Sequence, residues 1–371
     1  MRQENSVTER RSPLHDIHAD AGASFTDFAG WQMPVRYTSD LAEHHAVRTA
    51  AGLFDLSHMG EIVVVGPEAD RALDYALAGR ISALAEGQAK YTLLLGREGG
   101  ILDDLIVYRT GTDRFVVVAN ASNREVVAAE LAERTAPFDC ESLDESDDIA
   151  LIAVQGPKAL EILQNLDPYL DADAASLKYY RATAGLFDGH NVLVARTGYT
   201  GEDGFELYVS PDVAPALWRA IAEAGAGSGL LPCGLAARDT LRLEAGMPLY
   251  GHELSRDIHP AQAGLGRVVK SGDDYVGREA FEAGPAEGAR VLVGLTTEGR
   301  RAGRAGYPVL DGDDVVGEIT SGALSPTLGH PIAMAYVDPA SADSTTLTID
   351  VRGTRVPATV ASLPFYSRKA L

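Results

Sequence analysis

Hydrophobic and polar positions divide the chain into stretches of different rhythm. Between 61 and 135 short apolar runs alternate with helix-spaced ones. Runs at 61–65, 91–95 and 114–119 read as strands. Ala72, Leu73, Ala76 and Leu77 put one apolar face on a helix over 67–80. The run at 105–108 pairs with 91–95 as a hairpin through a turn at 97–100. An Ala-rich helix follows at 123–135. The order β-α-β-β-β-α predicts an α+β layer, an antiparallel sheet with helices on one face. Upstream, a short helix at 13–20 leads to an extended segment at 29–37. A helix at 40–51 then has Asp40 as N-cap and Glu43 as the partner in a capping box. The adjacent His44 and His45 diverge on that helix and read as surface or cap histidines. Residues 52–60 read as turn-rich. Downstream, strands at 149–154, 192–196 and 205–209 alternate with helices at 158–166, 213–224 and 235–243. The stretch 251–277 is irregular. Beyond 290, six short strands (291–295, 308–310, 315–321, 332–337, 345–351 and 354–360) are separated by Gly, Asp and Pro. This spacing predicts an all-β barrel or sandwich.

Composition narrows the function. The 371 residues carry a net charge of -21, which argues against binding a phosphate backbone. No apolar run approaches the ~20 residues of a membrane span. The N-terminus has mixed charge and no apolar core, so it is not a signal peptide and reads as a disordered lead-in to about Ser12. Cys140 and Cys233 are far apart and outside any CxxC or Cys/His motif. They fit a reducing, cytoplasmic setting and predict neither a disulfide framework nor a metal site. Walker, HExxH and GxSxG motifs are missing. Gly225-Ala226-Gly227-Ser228-Gly229 follows a helix, not a strand, and reads as a connection rather than a nucleotide loop.

Two stretches have the residues for chemistry. In Gly99-Gly100-Ile101-Leu102-Asp103-Asp104-Leu105 the glycines allow a tight turn and close approach to the backbone. Neighbouring strand residues face opposite sides, so only one of the two aspartates can enter a given pocket. The other then caps the turn or meets solvent, and both could be turn aspartates. In Phe205-Glu206-Leu207-Tyr208-Val209 a glutamate heads an apolar strand. A buried carboxylate needs a partner. Arg196 or Arg238 could supply it, or a planar ligand with two parallel N–H groups, such as a pterin or guanine edge.

Five motifs occur in order: Asp55-Leu56-Ser57-His58-Met59-Gly60, the Gly99–Leu105 stretch, Leu151-Ile152-Ala153-Val154-Gln155-Gly156-Pro157, Gly198-Tyr199-Thr200-Gly201-Glu202-Asp203-Gly204-Phe205-Glu206, and 234–246 with Leu235-Ala236-Ala237-Arg238. Together they resemble the aminomethyltransferase family of the glycine cleavage system, its T-proteins. The resemblance continues through Thr320-Ser321-Gly322 to Pro364-Phe365-Tyr366. It implies three domains in a clover-leaf around a central folate channel, the last a β-barrel. The expected ranges are 1–52 plus 146–270, then 53–145, then 285–371. The implied reaction takes an aminomethyl group from the lipoyl arm of H-protein. It yields ammonia and 5,10-methylenetetrahydrofolate, with tetrahydrofolate as one-carbon acceptor and no metal or flavin. The resemblance makes Asp104 the catalytic carboxylate, Glu206 the pterin grip and Arg238 a folate contact. Tyr91, Met59, Asn120 and Tyr199 match positions lining the folate, and Arg368 in the closing segment is a further candidate.

Relatives of other function define the alternatives. The iron–sulfur-assembly proteins carry a KGCY signature, where this chain has Gly198-Tyr199-Thr200-Gly201. The dimethylglycine and sarcosine oxidising proteins add a flavin domain, and no dinucleotide motif occurs here. A folate-dependent demethylase on the same fold is the closest alternative. The Asp103-Asp104 pair and the GYTGEDG loop favour the aminomethyltransferase. A guanine-binding module would suit Glu206 but lacks a phosphate loop.

Overall fold

The computed structural model describes residues 9–269 and 274–368. The expected disordered lead-in lies outside the described residues as far as position 8. Its last part is ordered. Arg10–Arg11 pairs in parallel with Trp31 and Gln32, and the buried Ser12 hydroxyl donates to Asp55 at 2.5 Å.

The chain divides into two compact units. The first takes in Gly60 and the residues before it, Glu145–Gly198 and Glu202–Asp239. Its seven-stranded sheet runs Leu170–Asp171, Ala182–Phe187, His190–Ala195, Gly204–Val209, Ala150–Gln155, Ala51–Asp55 and Leu230–Pro232. Leu53, Ile152, Val154, Phe205 and Leu207 pack with Ile162, Leu217 and Ile221 of the helices Ala159–Gln164 and Ala214–Gly225. The strand Ala51–Asp55 corrects the turn-rich reading of this segment. It pairs with Ala150–Gln155, all five of its residues are buried, and the chain leaves this unit at Gly60.

The helix Asp40–Thr49 differs from its expected start. Ser39 is the N-cap, and its side chain accepts from Ala42 N. Glu43 does not close a capping box. It is buried and accepts from the backbone N–H groups of Tyr37 (2.8 Å), Thr38 (3.2 Å) and Gly234 (2.9 Å). His44 is buried as well, whereas His45 is exposed as expected.

The second unit contains Glu61–Asp144, Tyr199–Gly201 and the chain from Thr240 onward. One sheet has the order Ala89–Leu95, Ile101–Gly111, Arg114–Ala119, Gly60–Val65 and Glu141–Asp144. Helices Ala69–Ala76 and Arg124–Thr135 cover one face, where Leu73, Val127 and Leu131 meet Ile62, Leu105, Val107 and Val117. The strands Val291–Thr297, Pro331–Val337, Asp314–Leu324, Pro308–Asp311, Leu347–Val351 and Thr354–Ala361 form a closed barrel, which decides between barrel and sandwich. Arg242 is buried. It donates to Glu253 at 2.9 Å and to the Ser321 hydroxyl at 2.8 Å. Glu244 accepts from Thr327 N at 3.0 Å and from the Ser325 hydroxyl at 2.5 Å.

The double glycine has a direct cause. Gly99 takes a φ of 83°, in the left-handed region. A Cβ on Gly100 would stand 1.7 Å from the Arg256 carbonyl oxygen. Ile101 N donates to the carbonyls of Ser255 (3.1 Å) and Ile258 (3.2 Å), so the 255–258 segment lies directly on this turn. Gly100→Ala should therefore destabilise the chain by about 3 kcal/mol. Gly227, whose Cβ would meet nothing within 4 Å, should accept alanine at a change within about 0.5 kcal/mol. Urea unfolding of both variants checks the contrast, and equal midpoints would refute it.

Candidate functional site

The strand Ile101–Gly111 begins earlier than its apolar run suggests, so both aspartates lie within it. They face opposite sides. Asp103 shares the helix-covered side with Leu105 and Val107, while Asp104 shares the other with Tyr91. The turn-cap role considered for Asp103 does not hold. Its side chain is buried and binds residues far along the chain. Asp103 Oδ2 accepts from Asn120 N at 3.0 Å, and Oδ1 accepts from Asn120 Nδ2 at 2.9 Å and Asn123 Nδ2 at 2.7 Å.

Asn120 links the two carboxylates. It follows the strand Arg114–Ala119, whose register sets Val118 against Ile106. Two residues further, Asn120 comes opposite Asp104. Its Nδ2 donates to Asp104 Oδ1 at 2.8 Å as well as to Asp103. On the adjoining strand, Tyr91 donates its hydroxyl to Asp104 Oδ2 at 3.0 Å. Burial pushes Asp104 above the usual carboxylate range, while the donors Tyr91 and Asn120 pull it back. Burial, with the neighbouring Asp104 charge, pushes Asp103 up to about 7 against the pull of Asn123 and Asn120. The spacing Asn120-x-x-Asn123 was the available signal for this arrangement. It gains meaning only when the strand register brings it beside Asp103.

The first unit holds the other acidic candidate. Glu206 is 7% exposed and accepts from the Thr197 hydroxyl at 2.5 Å. Arg196, one proposed partner, instead grips Asp203 with Nε at 2.9 Å and Nη2 at 2.5 Å. Gln155 Nε2 donates to Thr197 O at 3.0 Å. Gly198 and Gly204 press against that amide, and a Cβ at Gly198 would lie 1.9 Å from Gln155 Oε1. The GYTGEDG loop is thus moulded around Gln155 before the chain enters the strand carrying Glu206.

Met59 is half-buried and follows His58, whose ring meets Phe28 edge-on at 5.3 Å. Burial lowers His58 to about 4, with the Arg238 charge adding to the effect and Asp55 opposing it. The imidazole is therefore neutral near pH 7. Asp55 anchors this stretch by accepting from Ser57 N at 2.9 Å and facing His18 Nε2 at 2.9 Å. In the second unit, Tyr199 donates its hydroxyl to Pro248 O, and Arg368 is exposed. The structure thus brings together Asp104, Tyr91 and Asn120 in one unit, and holds Glu206, Arg238 and Met59 in the other.

A family model described as the GCVT N-terminal domain matches residues 14–273. A second, the glycine cleavage T-protein C-terminal barrel domain, matches 290–367. The chain belongs to the glycine cleavage T-protein family. It is 61% identical to the aminomethyltransferase of Cutibacterium acnes, over 98% of this chain and 100% of that protein. Identity to the Saccharopolyspora erythraea aminomethyltransferase is 58%, over 97% and 99% of the two. The crystal structure of the glycine cleavage system aminomethyltransferase T from Bartonella henselae superposes with a TM-score of 0.89 at 37% identity, covering 97% of this chain and 98% of that one. The family expected from the motifs is therefore the family found, and the barrel model falls on the closed barrel.

The raised proton affinity of Asp103 predicts a pH dependence of stability. The unfolded aspartate ionises near pH 4, the folded one at about 7. Between those values the folded chain holds a proton that the unfolded chain has lost. The stabilisation from this group is therefore complete below about pH 4 and is lost as the pH rises through about 7. Asp103→Asn should flatten that part of a melting-temperature profile between pH 4 and 8. An unchanged slope would show that another group sets it.

Proposed function

We propose that this chain catalyses the aminomethyltransferase step of glycine cleavage. The aminomethyl group carried on the lipoyl arm of H-protein gives up its one-carbon unit to tetrahydrofolate, and ammonia leaves. The observation that carries the reading is the 61% identity to an aminomethyltransferase, over 98% of this chain and 100% of that protein. Two free cysteines suit work in the reducing cytoplasm.

The residues fit a folate acceptor in their chemistry. When bound, tetrahydrofolate supplies the nitrogens that take up the one-carbon unit. Glu206 presents a buried carboxylate whose two oxygens match the paired N–H groups of a pterin edge. Arg238 offers a cation for the acidic tail of such a molecule. Met59, Tyr91 and Tyr199 offer apolar and aromatic surface for its rings. Asp104 is the catalytic residue of this reading. Held at one oxygen by Tyr91 and at the other by Asn120, it keeps a fixed direction. Burial raises its proton affinity, which suits a group that accepts a proton and stabilises developing positive charge.

Ammonia release from aminomethylated H-protein, with and without tetrahydrofolate, tests the function. Release that ignores tetrahydrofolate would overturn it. Demethylation of a sulfonium substrate in place of that release would favour the demethylase. Asp104→Asn keeps the shape but removes the charge, so turnover should fall by roughly a hundredfold or more. Tetrahydrofolate binding should be nearly intact, as titration calorimetry would report. Glu206→Ala should instead weaken tetrahydrofolate binding by on the order of 2 kcal/mol, or about thirtyfold. An unchanged dissociation constant in that variant would remove the pterin role.

A further inference from the structure

Asp104 does not stand alone on its strand. Behind it, on the helix-covered side, a second buried carboxylate is tied to it through one amide. Asn120 Nδ2 has two hydrogens, and each has a carboxylate to meet: Asp103 Oδ1 at 2.9 Å and Asp104 Oδ1 at 2.8 Å. The Asn120 backbone N–H goes to the other Asp103 oxygen at 3.0 Å. Asn123 Nδ2 holds Asp103 from the start of the following helix at 2.7 Å. An ionised carboxylate only accepts. Turning the Asn120 amide over would set its oxygen against two acceptor oxygens, so the flip is closed while Asp103 is charged. The amide oxygen, Asn120 Oδ1, is then forced away from both carboxylates and accepts from no donor among the described residues.

We propose that Asp103 is a positioning residue for the aminomethyl transfer: its carboxylate locks the Asn120 amide so that Nδ2 holds Asp104 and Oδ1 is presented as a hydrogen-bond acceptor to an N–H group of the reacting molecules. This rests on the aminomethyltransferase reading and adds a residue to it. Both the aminomethyl nitrogen and a folate ring nitrogen carry N–H groups that such an acceptor can meet. When Asp103 takes up a proton it becomes a donor, and its hold on the Asn120 amide is weakened. The groups that bear on Asp103 are Asp104 on its own strand, Tyr91 through Asp104, Asn120 and Asn123, and Tyr250, whose own titration feels Asp103, Asp104 and Arg256. Against the charge of Asp104 and burial, the amides of Asn123 and Asn120 keep Asp103 within reach of ionisation at about pH 7.

The test follows turnover against pH at saturating tetrahydrofolate and aminomethylated H-protein, with a melting curve for each variant. In the unaltered chain, turnover should rise through an acid limb near pH 7 as Asp103 ionises. Asp103→Asn should lower the high-pH plateau by roughly tenfold to a hundredfold and abolish that limb. The Michaelis constant for tetrahydrofolate should change much less. Asn123→Ala removes a donor that favours the charged form, so the limb should move to higher pH while the plateau is kept. A purely structural Asp103 would not move the limb in this way. Unchanged turnover and limb in a folded Asp103→Asn variant would overturn the proposal. So would an unmoved limb in Asn123→Ala, which also serves if Asp103→Asn fails to fold. If the unaltered chain releases no ammonia with tetrahydrofolate, the functional reading itself has failed, and the proposal falls with it.

Discussion

Two adjacent carboxylates packed into a single strand are costly. Burial raises the proton affinity of both, and the charge of Asp104 raises that of Asp103 further. The chain tolerates them because the pleat sends Asp103 and Asp104 to opposite faces, and because Asn120 arrives from the neighbouring strand with hydrogens for both. Much of the surrounding structure serves that geometry. The Ile106–Val118 register sets the level at which Asn120 arrives. The start of the helix Arg124–Thr135 puts Asn123 where it can reach Asp103. The hairpin partner brings Tyr91 to the far side.

The entry to this strand is equally constrained. Gly100 leaves room for the Arg256 carbonyl, and Ile101 N is bonded to the same passing segment. That segment is held in turn by the buried Arg242–Glu253 pair. A lone buried charge would cost several kcal/mol, so these two residues and Ser321 form a unit that cannot lose a member cheaply. Residues 255–258 pack backbone on backbone against this turn, a contact that leaves no apolar period to read.

The hydrophobic pattern made most elements legible. The hairpin at 91–108, the helix ending at Thr135 and the six barrel strands were all readable from local periodicity and turn residues. Closure of the barrel was not, because it depends on pairing between strands distant in sequence. The strand Ala51–Asp55 was missed for a related reason. Its five residues are all buried, so they show no alternation, and glycine and aspartate within it imitate a turn. Glu43 misled in the other direction. Its spacing from Asp40 suits a capping box, but its carboxylate is taken by three backbone N–H groups, including that of Gly234. At the site, the motifs indicated which residues to consider. The role of Asn123 and the burial of Asp103 emerged only with the register.

Buried carboxylates are common in this chain, and they differ in the kind of donor that holds them. Glu43 is held by backbone N–H groups of Tyr37, Thr38 and Gly234, which cannot move without moving the chain. Glu244 is fixed by Thr327 N as well as two hydroxyls, and Glu253 by Leu249 N together with Arg242. Such carboxylates are structural fasteners. The donors that other residues offer to Asp104 come from two side chains, the Tyr91 hydroxyl and the Asn120 amide. The Tyr91 hydroxyl can rotate and exchange partners at small cost, so Asp104 can alter that bond as a proton arrives or leaves without unmaking a strand or helix. Asp103 combines both kinds, with one backbone N–H and two amide side chains. It is fixed enough to orient Asn120, yet its own proton affinity lies where that hold can be released.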